Sequence, residues 1–377
     1  MISRTVEFGL NAVREAALRA ANGGELFEQV SSRLRRVVPF DGATWFATDP
    51  STVLATLPVG VENIEEGHCD TFWEREHQVE DVLLFRDLAR SQSGVGTLYQ
   101  ETAGTPERSA RAREFLRPQG YGDELRAVFR TGSSTWGVVG LLRRQKRPEF
   151  TDQDTRVLSE LGSGIADGLR RLAARQADDA AEDSAVGTLL YDSEGRMLSL
   201  DAAAYRWLGE LVGREWGGTT TELRRATPEL SMIFAAVTRA PMVAASREGS
   251  PAVSRIRARS GRWVVVHASS LHGLDGSAGP IAVTIGPARS SEIAPIIIEA
   301  YGLTPREQDI TKAVARGLSN AEIAAVRHLS PLTVRDHLKA VFAKVGVSTR
   351  GELVAKLFAD HYGPTIHAPG VASHAFF

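Results

Sequence analysis

The chain of 377 residues is long enough for two or three domains. Its apolar fraction of 43% and charged fraction of 24% are typical of a soluble globular protein, and no run of about eighteen apolar residues predicts a membrane-spanning helix. The N-terminal stretch carries Glu7 and Glu15 without a long apolar core, so we do not expect a signal peptide. The single cysteine, Cys69, excludes an internal disulfide and favours a reducing cytoplasm.

Helices are predicted first along the chain, and short strands follow. Helical spacing of apolar residues predicts two helices between residues 4 and 37, broken at Asn22-Gly23-Gly24. Runs rich in β-forming residues predict strands at residues 42–47 and 52–58. The stretch from residue 68 to residue 120 is irregular and mixed.

A hairpin and a long helix are predicted next. Residues 124–130 alternate apolar and polar side chains, Gly132-Ser133-Ser134 turns the chain, and residues 135–142 return. Thr151 and Asp154 cap a helix that continues to about residue 176. One face of this helix is apolar: Val157, Leu158, Leu161, Ile165 and Leu169.

This order of elements predicts an α+β sensor domain at residues 1–176. The stretches GYGDELRAVFR, WGVVGLLR and PEFTDQDTRVLSEL resemble a GAF domain from about residue 25 onward. The resemblance implies that the irregular middle segment covers a small-molecule pocket, with these candidate wall residues: Cys69, Phe72, Trp73, Phe85, Tyr121 and Trp136. Taken singly, each of them is predicted to be a core residue. No cofactor is expected.

Motifs for metal binding and catalysis are missing from the sequence. His68, Cys69 and His77 fit no zinc spacing, so we expect no metal site. The chain lacks a phosphate-binding P-loop, a Gly-x-Ser-x-Gly elbow and a His-Glu-x-x-His pair. We therefore do not expect an enzyme.

A second region begins after the acidic, Ala-rich break at residues 177–184. Strands are predicted at residues 185–192 and 196–200, and helices at residues 201–211 and 228–239. Three further strands are predicted, at residues 250–258, 262–271 and 279–287. The stretch LLYDSEGRMLSLDAAAYRWL with these strands resembles a PAS-type domain at residues 185–288, which implies a binding or dimerising module.

A connecting helix is predicted within residues 289–302. Its apolar face, formed by Ile293, Ile296 and Ile297, could pack on a partner protomer or on its own domain. At the other end of the chain, residues 363–377 contain Pro, Gly and His without periodicity, so we expect a disordered tail.

Between these segments, residues 303–362 carry repeated helix start signals. Thr304 with Glu307 and Ser319 with Glu322 form capping boxes, and Ser330-Pro331 opens a third helix. A fourth helix starts near Thr349. A helix, a short turn and a further helix form the helix-turn-helix plan, whose last helix lies in the DNA major groove.

The third helix, from about Pro331 to Lys344, is predicted to have an apolar and a polar side. The apolar side comprises Leu332, Val334, Leu338, Val341 and Val345, and the polar side Arg335, Asp336, Lys339 and Ala343. Arg335 and Lys339 are four residues apart and point into one groove. Arg suits the acceptor edge of guanine, and an acid suits the cytosine amino group. Ser330 and Thr333 are placed to meet a phosphate, with Lys344 and Arg350 at the far end.

The whole stretch resembles the DNA-binding domain of LuxR-type transcription regulators. The matching residues include Thr304, Arg306-Glu307, Ser319-Asn320, Glu322-Ile323-Ala324, Thr333-Val334, His337-Leu338, Lys344 and Gly346-Val347. The resemblance implies base reading by Arg335, Asp336 and Lys339, and backbone contacts by Thr333 and Lys344. It also implies pairing of two protomers through the fourth helix. Arg327 departs from the family, which usually has an apolar residue there. Either Val326 fills the gap or Arg327 reaches the surface.

Charge distribution agrees with this interpretation. The stretch from Thr304 to Tyr362 holds nine Lys and Arg against six Asp and Glu, a net charge of +3, which leaves −5 for the rest of a chain whose total is −2. We therefore expect a multidomain α+β protein, in which GAF-like and PAS-like sensor domains precede an all-α four-helix helix-turn-helix domain. The expected function is that of a cytoplasmic, homodimeric transcription regulator of double-stranded DNA with a small-molecule effector. The alternative is a sensor or scaffold whose helical head binds protein.

Overall fold

The structure, a computed structural model, describes residues 4–65, 67–174, 185–212, 230–245 and 249–359. The chain divides into two compact units. The first draws on Met1–Ala173, Ser184–Arg259 and Val264–Pro287, and the second on Ala174–Asp183, Ser260–Trp263 and Ala288–Phe377. The predicted break at 177–184, the start of the helix predicted at 228–239 and the tail 363–377 lie outside the described residues.

The first unit begins with a five-stranded antiparallel sheet. Its strands are β1 (Gly42–Thr48), β2 (Ala55–Glu62), β3 (Val95–Thr97), β4 (Tyr121–Thr131) and β5 (Ser134–Arg144). The spatial order is β2-β1-β5-β4-β3. The predicted hairpin is confirmed, since β4 and β5 pair from Tyr121↔Arg144 to Thr131↔Ser134.

Three helices accompany this sheet: α1 (Arg4–Arg19), α2 (Gly23–Leu34) and α6 (Asp152–Ala173). Helices α2 and α6 pack against the strands, and α1 packs on these two helices. The predicted cap of α6 is confirmed, because the Asp154 N–H donates to Thr151 Oγ1 at 3.3 Å and the Thr151 N–H donates to Asp154 Oδ2 at 2.8 Å. The predicted apolar face of α6 is buried.

The irregular segment between β2 and β4 contains three short α-helices: α3 (Cys69–His77), α4 (Phe85–Arg90) and α5 (Leu98–Glu101). Buried charges tie it to the sheet. Arg126 Nη2 on β4 donates to Glu76 Oε2 on α3 at 2.6 Å, and Arg111 Nε donates to Glu124 Oε2 at 2.8 Å. The segment is therefore anchored by ion pairs as well as by apolar packing.

The candidate pocket walls of this segment lie mostly in the core. Phe72, Trp73, Phe85, Tyr121 and Trp136 are all at most 4% exposed, which confirms the prediction that these side chains are core residues. Cys69 is half-buried, with its Sγ 3.8 Å from Ser231 Oγ.

A second five-stranded sheet belongs to the same unit. Its strands are β6 (Gly187–Tyr191), β7 (Met197–Leu200), β8 (Val253–Arg257), β9 (Trp263–His272) and β10 (Ala278–Pro287). The spatial order is β7-β6-β10-β9-β8. Numbered within each sheet, both sheets therefore have the order second, first, fifth, fourth, third. Two helices accompany the second sheet: α7 (Ala202–Val212) and α8 (Ser231–Ala244).

Helix α8 joins the two sheets in one core. It is apolar around most of its circumference and buried from Ser231 to Ala240, as expected of a helix enclosed on all sides. It contacts strand β2 of the first sheet, the neighbouring helix α3, and strands β8 and β10 of the second sheet. Polar contacts cross the same boundary, because Arg255 Nη1 donates to Asp49 Oδ2 at 2.7 Å and Ser254 Oγ donates to the Ala55 carbonyl at 3.0 Å.

The second unit is helical. Its helices are α9 (Ser290–Ala300), α10 (Pro305–Ala315), α11 (Asn320–Arg327), α12 (Pro331–Val345) and α13 (Arg350–Ala359). Ile297 of α9 is buried in the core of this unit, so this part of the connecting helix packs on its own chain. None of the described helices has the length and hydropathy needed to cross a membrane.

Candidate nucleic-acid interface

Local sequence signals set the start of each helix in the second unit. The Glu307 N–H donates to Thr304 Oγ1, and the Thr304 N–H donates to Glu307 Oε2 at 2.7 Å. Ser319 and Glu322 form the same reciprocal pair, and the Thr333 N–H donates to Ser330 Oγ at 3.0 Å. The predicted caps are therefore confirmed, and they fix where α10, α11 and α12 begin.

Helix α12 presents one polar face to solvent. Val334, Leu338, Val341 and Val345 are buried, as predicted. Arg335, Asp336, Lys339 and Ala343 are exposed on the other side. Leu332 was predicted to face inward, and that prediction is wrong: its side chain is 57% exposed. Leu332 stands two positions before Val334, so its side chain leaves the helix on the side opposite the buried row, where nothing in the core of this unit covers it.

The cations of this face are available to a ligand. Arg335 and Lys339 are one turn apart on α12, so their side chains leave the helix in nearly the same direction. Within the part of the chain that the structure describes, no hydrogen bond or ion pair engages Arg335, Asp336 or Lys339. Two positive groups with one carboxylate between them match the mixture of acceptors and donors on the edges of base pairs.

Ser330 and Thr333 lie at the N-terminal end of α12. Their hydroxyl oxygens are 2.8 Å apart, and both belong to the cap. The first backbone N–H groups of a helix are a favourable site for an anion, because they lack partners within the helix. The helix start at which these two residues lie is therefore a favourable place for an anion.

Lys344 and Arg350 contact other parts of the second unit. Lys344 Nζ donates to Glu307 Oε2 at 2.6 Å. Arg350 donates to the Leu318 carbonyl and, at 3.4 Å, to Asn320 Oδ1. Burial would raise the pKa of Glu307, but the hydrogen bonds from Lys344 and Thr304 outweigh it and hold that pKa below its usual value. Both cations thus fasten helices together, a role that local sequence spacing does not reveal.

Arg327 reaches the surface, which decides between the two predicted ways of accommodating it. Val326 is 63% exposed and does not fill the core position. Arg327 Nη1 lies 3.3 Å from Asp309 Oδ2 on α10, and Arg306 Nη2 donates to the Arg327 carbonyl at 2.9 Å. The ion pair therefore replaces an apolar contact between α10 and α11.

Comparison with known proteins agrees with this geometry. Residues 302–357 match the family described as bacterial regulatory proteins, luxR family. A Mycobacterium bovis protein named as an HTH-type transcriptional regulator is 48% identical over 52 residues, which are 14% of this chain and 6% of that protein. The transcriptional regulatory protein YhcZ of Bacillus subtilis is 44% identical over 62 residues, 16% of this chain and 28% of YhcZ. The chain thus spans less than a third of either relative.

A solved structure of phage VqmA with DPO covers 45% of this chain and 79% of its own at 19% identity, with a TM-score of 0.24. That score is too low to indicate a shared overall arrangement, so the family match rests on the C-terminal helices. The residues that match the family are those that form helices α10 to α12 and most of α13. Residues 302–357 therefore form a luxR-type helix-turn-helix domain.

Proposed function

We propose that this protein is a transcription regulator whose luxR-type domain reads the major groove of double-stranded DNA. The observation that carries the proposal is the exposed face of α12, where Arg335, Asp336 and Lys339 stand together without partners among the described residues. Arg335 and Lys339 contact base acceptors, and Asp336 accepts from a cytosine amino group. Ser330 and Thr333 position the helix on the backbone, with Lys344 and Arg350 at the far end.

The protein acts as a homodimer on a two-fold DNA site. The local net charge of +3 between Thr304 and Tyr362 is modest, so a single domain binds weakly and two domains on adjacent half-sites bind more tightly. Pairing through α13 would place the two α12 helices about one turn of DNA apart. The reducing cytoplasm is the compartment that fits this role.

The first unit holds the sensor modules. Its two sheets share one strand order, which supports the resemblance of residues 1–176 to a GAF domain and of residues 185–288 to a PAS-type domain. A small molecule bound by the GAF-like module would regulate DNA affinity only if it binds two states of the protein differently. The protein itself performs no chemical reaction in this scheme.

The experiment is selection of bound sites from random duplex DNA by the full chain, followed by titration of the preferred site. Arg335→Ala and Lys339→Ala should each weaken specific binding by about 1–3 kcal/mol. Arg36→Ala is the matched control, because Arg36 is an exposed arginine just after α2 in the first unit. If the full chain selects no DNA even at low salt, where phosphate contacts are strongest, the proposal fails and a protein-binding scaffold takes its place.

A further inference from the structure

Leu332 is an apolar side chain on the polar face of α12. It is 57% exposed and does not belong to the described side chains that pack on the core of the second unit. Side chains three and four positions apart are neighbours on a helix. Leu332 therefore adjoins both Arg335 and Asp336, and the row continues to Lys339.

The position of Leu332 within this row indicates what its side chain would contact in a DNA complex. Single exposed leucines are common on protein surfaces, but this one stands in the second position of the helix whose N-terminal residues enter the groove. The row from Leu332 to Lys339 is about 10 Å long, which corresponds to roughly three base-pair steps. A helix seated by Arg335 and Lys339 therefore brings Leu332 against the edge of one further base pair.

The chemistry of base edges restricts what Leu332 accepts. A leucine next to a base donor or acceptor would leave that group without a partner, which is unfavourable. Among the groups exposed in the major groove, the thymine C5-methyl is the apolar group that projects from a base edge. We propose that Leu332 is a specificity-determining residue that reads the methyl group of a thymine in each half-site, beside the bases contacted by Arg335. This inference rests on the proposed DNA-binding function.

Replacement of thymine by deoxyuridine tests the contact directly, because it removes the methyl group and leaves the hydrogen-bonding edge unchanged. Using the site selected by the full chain, each thymine is replaced in turn and the dissociation constant is measured. For the unaltered protein, replacement of either thymine of one symmetry-related pair should weaken binding about three- to fivefold, the effect of one lost methyl contact. In Leu332→Ala this particular penalty should vanish, while the other positions respond as before.

Val326→Ala provides the matched control. Val326 is likewise apolar and exposed, at 63%, but it lies on α11, the helix that crosses the backbone in this motif. This variant should keep the deoxyuridine response. An unchanged response in Leu332→Ala, or no methyl-sensitive thymine at all, overturns the inference while leaving the DNA-binding function intact. Failure to select any DNA overturns the proposed function first.

Discussion

Lys344 and Glu307 join the last turn of α12 to the first turn of α10 through a 2.6 Å ion pair. The Glu307 side chain is 7% exposed and that of Lys344 is 37% exposed. Because solvent screens the lysine, we expect a coupling of about 1 kcal/mol rather than the several kcal/mol of a fully buried pair. A double-mutant cycle of Glu307→Gln and Lys344→Met, followed by urea unfolding, measures this coupling.

Acid should remove the contribution of the Lys344–Glu307 ion pair to the unfolding free energy. The folded-state pKa of Glu307 lies below its usual value of 4.5, so the stabilisation is present above about pH 4.5 and is lost as the pH falls through the lowered pKa. Glu307→Gln should show a smaller loss of unfolding free energy on acidification than the parent chain. Equal slopes in both proteins would mean that the carboxylate does not contribute.

Arg335 and Lys339 should affect base preference more than salt dependence. Base edges carry no condensed counterions, so removal of a base-reading side chain leaves the slope of log affinity against log salt nearly unchanged. Each alanine variant should instead relax the preference at one base position. A slope that drops by about 1 with an unaltered base preference would assign that side chain to a phosphate.

Arg126 and Glu76 should be strongly interdependent in the first sheet. Both side chains are at most 2% exposed, and Arg126 also lies over the Phe85 ring at 3.5 Å. Arg126→Met alone leaves a buried carboxylate unpaired and should lower the unfolding free energy by about 3–5 kcal/mol. The double variant with Glu76→Leu should recover most of that loss. If the two losses simply add, the pair is not a coupled unit.

His77 should make the first unit sensitive to acid. Burial holds the pKa of His77 well below its usual 6.5, and the positive charges of Arg239 and Arg86 lower it further. Because the unfolded chain takes up the proton first, stability is full above about pH 6.5 and falls by about 1.4 kcal/mol for each pH unit below it.

Substitution of His77 distinguishes its contribution to acid destabilisation from that of the carboxylates, which also titrate in acid. His77→Gln keeps a neutral polar group and should flatten the loss between pH 6.5 and 5 in thermal or urea unfolding. Glu74→Gln, which alters a more exposed site on the same helix, should retain it. A parent and a His77→Gln variant with parallel pH profiles would show that His77 takes up its proton equally in the folded and unfolded states, so that folding does not lower its pKa.

Local signals were sufficient to predict most elements of this chain. The caps at Thr304, Ser319 and Ser330 and the hairpin around Gly132 depend on residues close together in sequence, and the structure confirms them. The apolar residues that recur at helical spacing in α6 are buried for the same reason. Leu332 was assigned to the wrong face: it stands two positions from Val334 but three and four positions from Arg335 and Asp336, and this spacing puts it on the polar side.

Side-chain contacts between residues far apart in the sequence could not be predicted. Glu76 and Arg126 resemble surface residues in the sequence, yet they meet inside the first unit across 50 positions. Lys344 and Arg350 were predicted at the far end of a DNA interface from their sequence position, and each turns out to contact a distant helix of the same unit. Whether either also contacts a phosphate stays a prediction.

The strand order of the two sheets has a consequence for how the protein is made. In each sheet the strand synthesised first lies next to the strand synthesised last. As the ribosome delivers the chain, β1 therefore lacks its inner neighbour until residues 134–144 emerge, and β6 lacks its own until residues 278–287 do. An unpaired apolar edge of this kind invites pairing between chains. A shortened chain that includes β6 but ends before residue 278 would keep such an edge permanently, so expression designs should extend past Pro287.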